Sequence, residues 1–324
     1  GALFKPGADT LFQGADFFDT VHHRHPSGVL GPKRTGFRLR SARYDAALLL
    51  SNAFSVALIA RVAGIRQRVG YRRDARGPLI TDGITPPRRL DGSWAPTPAV
   101  EYYWTLANHL LRGDEPNRPD HARMELPVQD TDRQEAERAL RHVGHLAESD
   151  PLDASPPFAV LIPGGSKESK RWPTERFAEL ARRLIDHHDL RVLVSGAPDE
   201  QDVCQRVADQ TDRPDRVASL PGSGLTLRGL KPLLAAAKLL VTNDTGPRHI
   251  AVALGTPVVT LFGPTDHRWT TVPTRPGAPE IQLLADPSLG PDELANDDPE
   301  RSRIDRITTQ RALDACDEIL GRPA

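Results

Sequence analysis

The sequence predicts an α/β protein with parallel sheets, divided into two lobes. In the second half, short apolar runs alternate with longer segments in which apolar residues recur every three or four positions. Runs without polar alternation are typical of buried parallel strands, and the longer segments are typical of helices that cover a sheet. The chain has 324 residues, which is enough for two domains of ordinary size.

The first half is predicted to hold fewer regular elements. Residues 1–43 show little periodicity beyond a short strand at 17–21 and a basic, glycine-rich loop at 28–40. We then predict strands at 46–50, 66–73 and 123–128, and helices at 54–62, 100–111 and 130–146. The Asp, Ser and Pro residues of 148–157 break every pattern, and they place the boundary between a lobe at 1–150 and a lobe at 151–324.

The second half alternates strand and helix throughout. Predicted strands lie at 158–162, 191–195, 217–220, 239–242 and 257–262. One predicted helix is capped by Thr174, and two more cover 199–210 and 227–237. A last amphipathic helix is predicted after Thr308, which is its cap residue.

The stretch 239–265 carries the strongest signal in the chain, a strand–loop–helix–strand unit. Pro247 fits the first helical position and Gly255 fits the position just past the helix end. Residues 243–246 therefore lie between a strand's carboxyl end and a helix N-terminus, where free N–H groups face the ligand site of an open parallel sheet. On the local pattern alone, a simple helix cap at Asp244 or Thr245 explains these residues equally well.

The same sheet edge is expected to collect polar and small residues from three loops. Ser166, Lys170, Arg171 and Thr245 offer groups for phosphate oxygens. Glu200 offers a carboxylate for ribose hydroxyls. The alternative is that the glycines at 164–165 form a tight turn, that 167–171 is a solvated charge run, and that His249 is packed inside its helix. No dinucleotide or P-loop glycine motif is present.

The composition limits the classes of ligand and partner that the protein is expected to bind. The 42 basic and 43 acidic residues nearly cancel, so no global field points to nucleic acid. The two cysteines are far apart, and the cluster His22, His23 and His25 lacks the usual spacing of a metal site, so neither a disulfide nor a metal is expected. No stretch is long and apolar enough to span a bilayer.

The second half contains five ordered motifs: Pro163-Gly164-Gly165-Ser166, Lys170-Arg171-Trp172-Pro173, Gly196-Ala197-Pro198-Asp199-Glu200, Asn243-Asp244-Thr245-Gly246 with His249, and Leu261-Phe262-Gly263-Pro264-Thr265. These motifs resemble those of glycosyltransferase family 9, the ADP-heptose:lipopolysaccharide heptosyltransferases. A further segment at 50–71 is similar to the amino-terminal lobe of the heptosyltransferase II type.

The resemblance implies a GT-B architecture, two Rossmann-like lobes with the active site in the cleft between them. It implies transfer of a heptose, with inversion and without metal or cofactor, from ADP-heptose as co-substrate to the lipid A inner core. The enzyme is then expected in the cytoplasm, peripheral at the inner face of the inner membrane. Lys170 should stabilise the leaving diphosphate. The donor-binding residues implied are Gly165, Ser166, Lys170, Glu200, Asp244, Thr245, Gly246 and His249.

One expected feature is not found in the sequence. Family members open with a strand and a Gly-Asp turn whose Asp deprotonates the acceptor, whereas Asp9 and Asp16 follow no apolar strand here. The chain is therefore expected to start inside the first lobe, with its catalytic base unassigned. Two alternatives remain open: a non-catalytic nucleotide-sugar-binding protein, and a family 9 transferase with another sugar donor. Arg68, Arg72 and Arg73 either meet the phosphorylated acceptor or are solvated surface residues.

Overall fold

The computed structural model describes residues 1–24, 28–112, 122–290 and 293–321. The chain forms two compact units, one of Gly1–Ala122 with Arg268–Thr271 and one of Arg123–His267 with Val272–Ala324. The sequence patterns place the lobe boundary at 150, after the helix α4 (Asp130–His142). The units divide before this helix, because α4 packs against α7 (Leu227–Ala236) of the second unit.

The described part of the first unit contains two small parallel sheets and three α-helices. In one sheet β1 (Ala2–Phe4) pairs with β2 (Val21–His23); in the other β4 (Gln67–Tyr71) lies between β3 (Ala46–Leu48) and β5 (Asp82–Ile84). The helices are α1 (Gly31–Leu39), α2 (Phe54–Val62) and α3 (Ala99–Leu111).

The N-terminal region is more regular than its sequence predicts. The expected loop at 28–40 is largely the helix α1, which packs on α2 because Gly36 has no side chain: a Cβ there would lie 2.7 Å from the Cβ of Val62. The expectation that no strand precedes Asp9 is also wrong. Strand β1 comes before Gly7, whose backbone has a left-handed φ of 87°. The expected strand at 17–21 begins only at Val21.

The predicted strand at 123–128 is wrong as well. Its backbone carbonyls accept side-chain donors instead of pairing with a strand. Met124 O accepts from Arg275 Nη2 at 2.9 Å, and Pro127 O accepts from Lys231 Nζ at 2.7 Å.

In the described part of the second unit, six parallel strands form one sheet in the order β11-β10-β9-β6-β7-β8. The strands are β6 (Phe158–Ile162), β7 (Arg191–Val194), β8 (Val217–Ser219), β9 (Leu239–Asn243), β10 (Val258–Phe262) and β11 (Glu280–Leu284). The remaining helices are α5 (Thr174–His188), α6 (Gln201–Thr211), α8 (Gly246–Leu254) and α9 (Thr309–Leu320).

The strand order contains a topological switch beside β6. From β6 the chain moves outward through β7 and β8, and it then returns to β9 on the other side of β6. The loops that follow β6 and β9 therefore leave the sheet edge in different directions. In open α/β sheets a crevice forms at the carboxyl ends of two such strands, and ligands bind there.

Candidate functional site

A cavity of about 910 Å³ lies at this switch point, within the second unit. Its walls come from the loop after β6, the loop after β7, the segment before α7 and the N-terminus of α8. The lining residues that the sequence predicts for donor binding are Gly165, Ser166, Glu200, Asp244, Thr245, Gly246 and His249. Lys170, the remaining predicted residue, reaches the site through Asp244. The structure therefore brings together the eight residues that the sequence predicts for donor binding.

Asn243 fastens the loops around the cavity. Its side chain is fully buried at the end of β9; its Nδ2 donates to the carbonyls of Pro163 and Gly164 at 2.8 and 2.9 Å, and its Oδ1 accepts from Trp172 N at 3.2 Å. These three hydrogen bonds of the side-chain amide all join Asn243 to backbone groups of the loop that follows β6. The asparagine thus fixes the distance between the two loops that flank the switch point.

Glu200 lies between two glycine loops. Its Oε1 accepts from Gly165 N at 2.8 Å, and its Oε2 accepts from Ala197 N at 2.9 Å. A Cβ on Gly164 would collide with this carboxylate, and a Cβ on Gly196 would lie 3.0 Å from Oε2. The glycines are required for this close approach. Because a carboxylate has about four acceptor positions, Glu200 retains capacity for hydroxyl donors from the cavity.

A chain of alternating charges runs from the cavity into the sheet. Lys170 Nζ lies 3.2 Å from Asp244 Oδ2, and the other oxygen of Asp244 lies 3.8 Å from Arg248 Nη1. Arg248 is fully buried and forms a two-pronged pair with Glu280 of β11, with Nη2 donating to Oε2 at 2.9 Å. Its guanidinium carbon lies 5.1 Å from the centre of the Phe262 ring.

Glu280 stays ionised in this environment. Burial raises the pKa of its carboxyl, but hydrogen bonds from Arg248, Thr260 and Gln282, together with the charge of Arg248, hold the pKa below its ordinary value. Neither Arg248 nor Glu280 is among the residues predicted from sequence. The i, i+4 spacing of Asp244 and Arg248 across the start of α8 is the available signal for Arg248, whereas Glu280 lies on the strand β11, which the sequence pattern does not predict.

The N-terminus of α8 faces the cavity. Gly246 and Pro247 open this helix, with Thr245 as its N-cap residue and Gly255 in a left-handed conformation at its end. The unpaired N–H groups of a first helical turn and the helix dipole favour an anion there. Burial, together with the positive charge of Arg248, lowers the pKa of His249 below its ordinary value. At neutral pH His249 is therefore an uncharged imidazole at the cavity wall.

The cavity wall formed by the segment before α7 and the first turn of α7 is apolar, and contacts with α4 position it. Leu225, Leu227 and Leu230 line the cavity around Thr226. A single oxygen of Glu135, on α4, accepts from Thr226 N and Thr226 Oγ1 at 2.7 Å each and from Gly229 N at 3.1 Å. This carboxylate satisfies the free donors at the start of α7, a role that the sequence patterns did not indicate.

Three further observations concern residues outside the cavity. Arg68 is not a solvated surface residue: it is buried, and its guanidinium donates to the carbonyls of Ile65 and Leu79. Among the described residues, no three His, Cys, Asp or Glu side chains are grouped to hold a metal ion; His25 of the histidine cluster lies outside them. No helix within the described ranges is long and apolar enough to cross a membrane.

Comparison with known proteins identifies the family. The model of glycosyltransferase family 9 (heptosyltransferase) matches residues 33–285. The chain is 31% identical over 301 residues to lipopolysaccharide heptosyltransferase 2 of Escherichia coli K12, covering 91% of this chain and 81% of that protein. The structure of the E. coli ADP-heptose lipopolysaccharide heptosyltransferase II superimposes with a TM-score of 0.68 at 28% identity, over 93% of this chain and 83% of that one.

A second solved structure supports the fold alone. The family 9 glycosyl transferase of Veillonella parvula superimposes with a TM-score of 0.74 at 18% identity, over 98% of this chain and 87% of that one. The predicted α/β class with two Rossmann-like lobes is confirmed.

The match of the family model over most of the chain, together with the likeness to heptosyltransferase II, shows that this protein is a glycosyltransferase and belongs to glycosyltransferase family 9, the heptosyltransferases.

Proposed function

We propose that the chain transfers a heptose from ADP-heptose to the inner core of lipopolysaccharide. The observation that carries the proposal is the pair of Lys170 and Asp244 at the N-terminus of α8, at the edge of a cavity of nucleotide-sugar size. This arrangement joins a mobile cation to a fixed helix dipole. Negative charge that develops on a leaving diphosphate would be stabilised by both.

The chemistry proposed for each group follows from its position. The diphosphate competes with Asp244 for Lys170, so Lys170 moves to the phosphate oxygens while Arg248 continues to balance Asp244. Ser166, Thr245 and the N–H of Gly246 supply further donors, and Glu200 accepts from the ribose hydroxyls. The adenine ring of the nucleotide packs against the apolar wall formed by Leu225, Leu227 and Leu230. Because the protein itself supplies the positive charge, we propose that transfer needs no metal and no cofactor.

The remaining parts of the proposal concern the acceptor. A lipid-linked sugar is presented at a membrane surface, so we propose that the enzyme works in the cytoplasm at the inner face of the inner membrane. The group that deprotonates the acceptor hydroxyl is not assigned to a residue of this chain.

Titration calorimetry and a transfer assay test the proposal together. The chain should bind ADP in preference to UDP and GDP, and should release ADP from ADP-heptose only when lipid A with a truncated inner core is added. Addition of EDTA should leave the rate unchanged. ADP binding without transfer would favour a non-catalytic binding protein, and preference for UDP or GDP would favour another sugar donor.

A further inference from the structure

The outward face of α1 combines cations with exposed apolar side chains. Leu30, Lys33, Arg34, Phe37 and Arg38 occupy positions i, i+3, i+4, i+7 and i+8, so they share one face. All five are exposed, with Leu30 at 52% and Phe37 at 56%. The opposite face of the helix, formed by Gly31, Thr35, Gly36 and Leu39, is buried.

The positive charge of this face is local. Residues 28–44 contain five Lys or Arg residues and no acidic residue, while the whole chain has a net charge of −1. Within the described part of the chain, Lys33, Arg34 and Arg38 have no carboxylate within ion-pair distance. The Arg40 guanidinium lies over the Phe37 ring at 4.6 Å, so the aromatic side chain is itself covered by a cation.

The turn before α1 extends the apolar part. Val29 is 96% exposed, beside Leu30. Contiguous exposed patches of aliphatic and aromatic side chains mark interaction sites on soluble proteins. The phosphates of a nucleic acid would bind the Lys and Arg side chains, but they would leave the neighbouring aliphatic side chains exposed to water. A bilayer surface uses both, since the apolar groups enter the interface while Lys and Arg bind lipid headgroups.

We propose that α1 and the turn at 28–30 form a docking surface for a membrane rich in anionic lipid headgroups. Each Lys or Arg near such a surface raises the partition coefficient about fivefold, and the burial of Phe37, Val29 and Leu30 adds an apolar contribution. The inference extends the proposed location at the inner membrane face. It rests on that proposal only for its biological setting, because docking needs no sugar donor and no acceptor.

Vesicle flotation of the full chain tests the surface. The protein should bind phosphatidylcholine vesicles that contain phosphatidylglycerol and should not bind vesicles of phosphatidylcholine alone. Combined Lys33→Gln, Arg34→Gln and Arg38→Gln should reduce the partition coefficient about 100-fold. Combined Val29→Ser and Phe37→Ser should reduce it about tenfold, with the remaining binding abolished by high salt.

The matched control removes three exposed arginines from helices of the second unit, by Arg138→Gln, Arg182→Gln and Arg206→Gln. It changes the net charge equally and should leave vesicle binding nearly unchanged. ADP titration of every variant reports folding and the donor site separately from docking.

Several results would overturn the proposal. Absence of binding to anionic vesicles, equal binding to neutral ones, or equal loss in the control would each do so. Binding of a nucleic-acid oligomer without vesicle binding would assign the face to nucleic acid. Self-association that Phe37→Ser removes would assign it to a second copy of the chain.

Discussion

At the scale of single residues, Asp244 is the most constrained group at the cavity. It faces Lys170 on one side and the buried Arg248 on the other, and Arg248 is in turn held by Glu280. Lys170 is about one fifth exposed, so it can move, whereas Arg248 is fully buried and cannot. The site therefore separates a cation that is free to follow the substrate from one that keeps the carboxylate oriented.

Replacement of the mobile cation should weaken nucleotide binding without unfolding the protein. For Lys170→Ala we expect ADP affinity to fall 10- to 100-fold, because charge-assisted hydrogen bonds contribute roughly 1.5–3 kcal/mol. Asp244→Ala should weaken binding of ADP-heptose, because its carboxylate is the proposed acceptor for hydroxyls of the sugar. ADP alone should not bind more weakly to this variant, since the diphosphate no longer competes with Asp244 for Lys170. The melting temperature should change little for both. Calorimetric titration measures the affinities, with Lys167→Ala as the control for an exposed lysine of the same loop. Unchanged affinity of Lys170→Ala for ADP and of Asp244→Ala for ADP-heptose would contradict the site assignment.

Replacement of the fixed cation should instead affect stability. Arg248→Met leaves Glu280 buried without its guanidinium partner, and removal of one member of a buried pair costs about 3–5 kcal/mol. In the double variant Arg248→Met, Glu280→Gln, the unpaired charge is gone and much of the loss should be recovered. Urea unfolding measures the free energies of the two variants. A double variant no more stable than Arg248→Met would show that the pair does not act as a unit.

At the scale of elements, α4 and α7 are joined by buried charges as well as by capping. Asp132 and Lys231 are both fully buried with 2.9 Å between Oδ2 and Nζ, and Arg228 Nε contacts the other oxygen of Asp132 at 2.9 Å. Gly229 allows this approach, since a Cβ there would lie 2.8 Å from Glu135 Oε1. Because α7 forms the apolar wall of the cavity, α4 fixes the position of that wall.

Removal of the capping carboxylate should therefore loosen the wall. For Glu135→Ala we expect a loss of about 1–2 kcal/mol in the free energy of unfolding, typical of a lost helix cap. Affinity for ADP should fall as well, because Thr226 and Leu227 are no longer held. Chemical unfolding and calorimetry measure the two effects, with Glu318→Ala as the control for an exposed helical glutamate. Loss of stability with full ADP affinity would show that the wall does not depend on this contact.

The elements that the sequence predicted well are those whose burial is complete. β6, β9 and β10 are buried at every position; β6 is wholly apolar, and β9 and β10 contain no polar residues other than Thr242, Asn243 and Thr260. β11 is only partly buried, so polar residues interrupt its apolar run and the sequence does not predict it. The sequence predicts a loop where α1 forms, because the buried face of α1 consists of glycine, threonine and a single leucine. The side chains of the motif loops, Asn243 among them, are predicted from the sequence. Glu135 and Glu280 carry no such local signal, because they act through contacts distant in sequence.

At the scale of the whole molecule, stability should depend on pH through a histidine far from the cavity loops in sequence. His145 is buried after α4, its Nε2 lies 2.9 Å from Ser155 Oγ, and its ring packs edge-on against Phe158. Burial, reinforced by the positive charge of Arg191, lowers the pKa of His145 to about 4. The folded chain therefore keeps this imidazole neutral.

The sign of the effect follows from proton binding. Between about pH 6.5 and pH 4 the unfolded chain protonates His145 and the folded chain does not, so stability falls as the pH falls through this window. The loss should reach roughly 2–3 kcal/mol. Glu280, whose pKa is lowered, loses its contribution only at more acidic pH, as the pH falls through its folded pKa. Urea unfolding at several pH values should show a slope above pH 4.5 that His145→Gln reduces and that the exposed control His187→Gln leaves in place. His249, whose pKa is also lowered by burial, supplies part of the remaining slope. An unchanged slope in His145→Gln would show that another group controls the acid response of the fold.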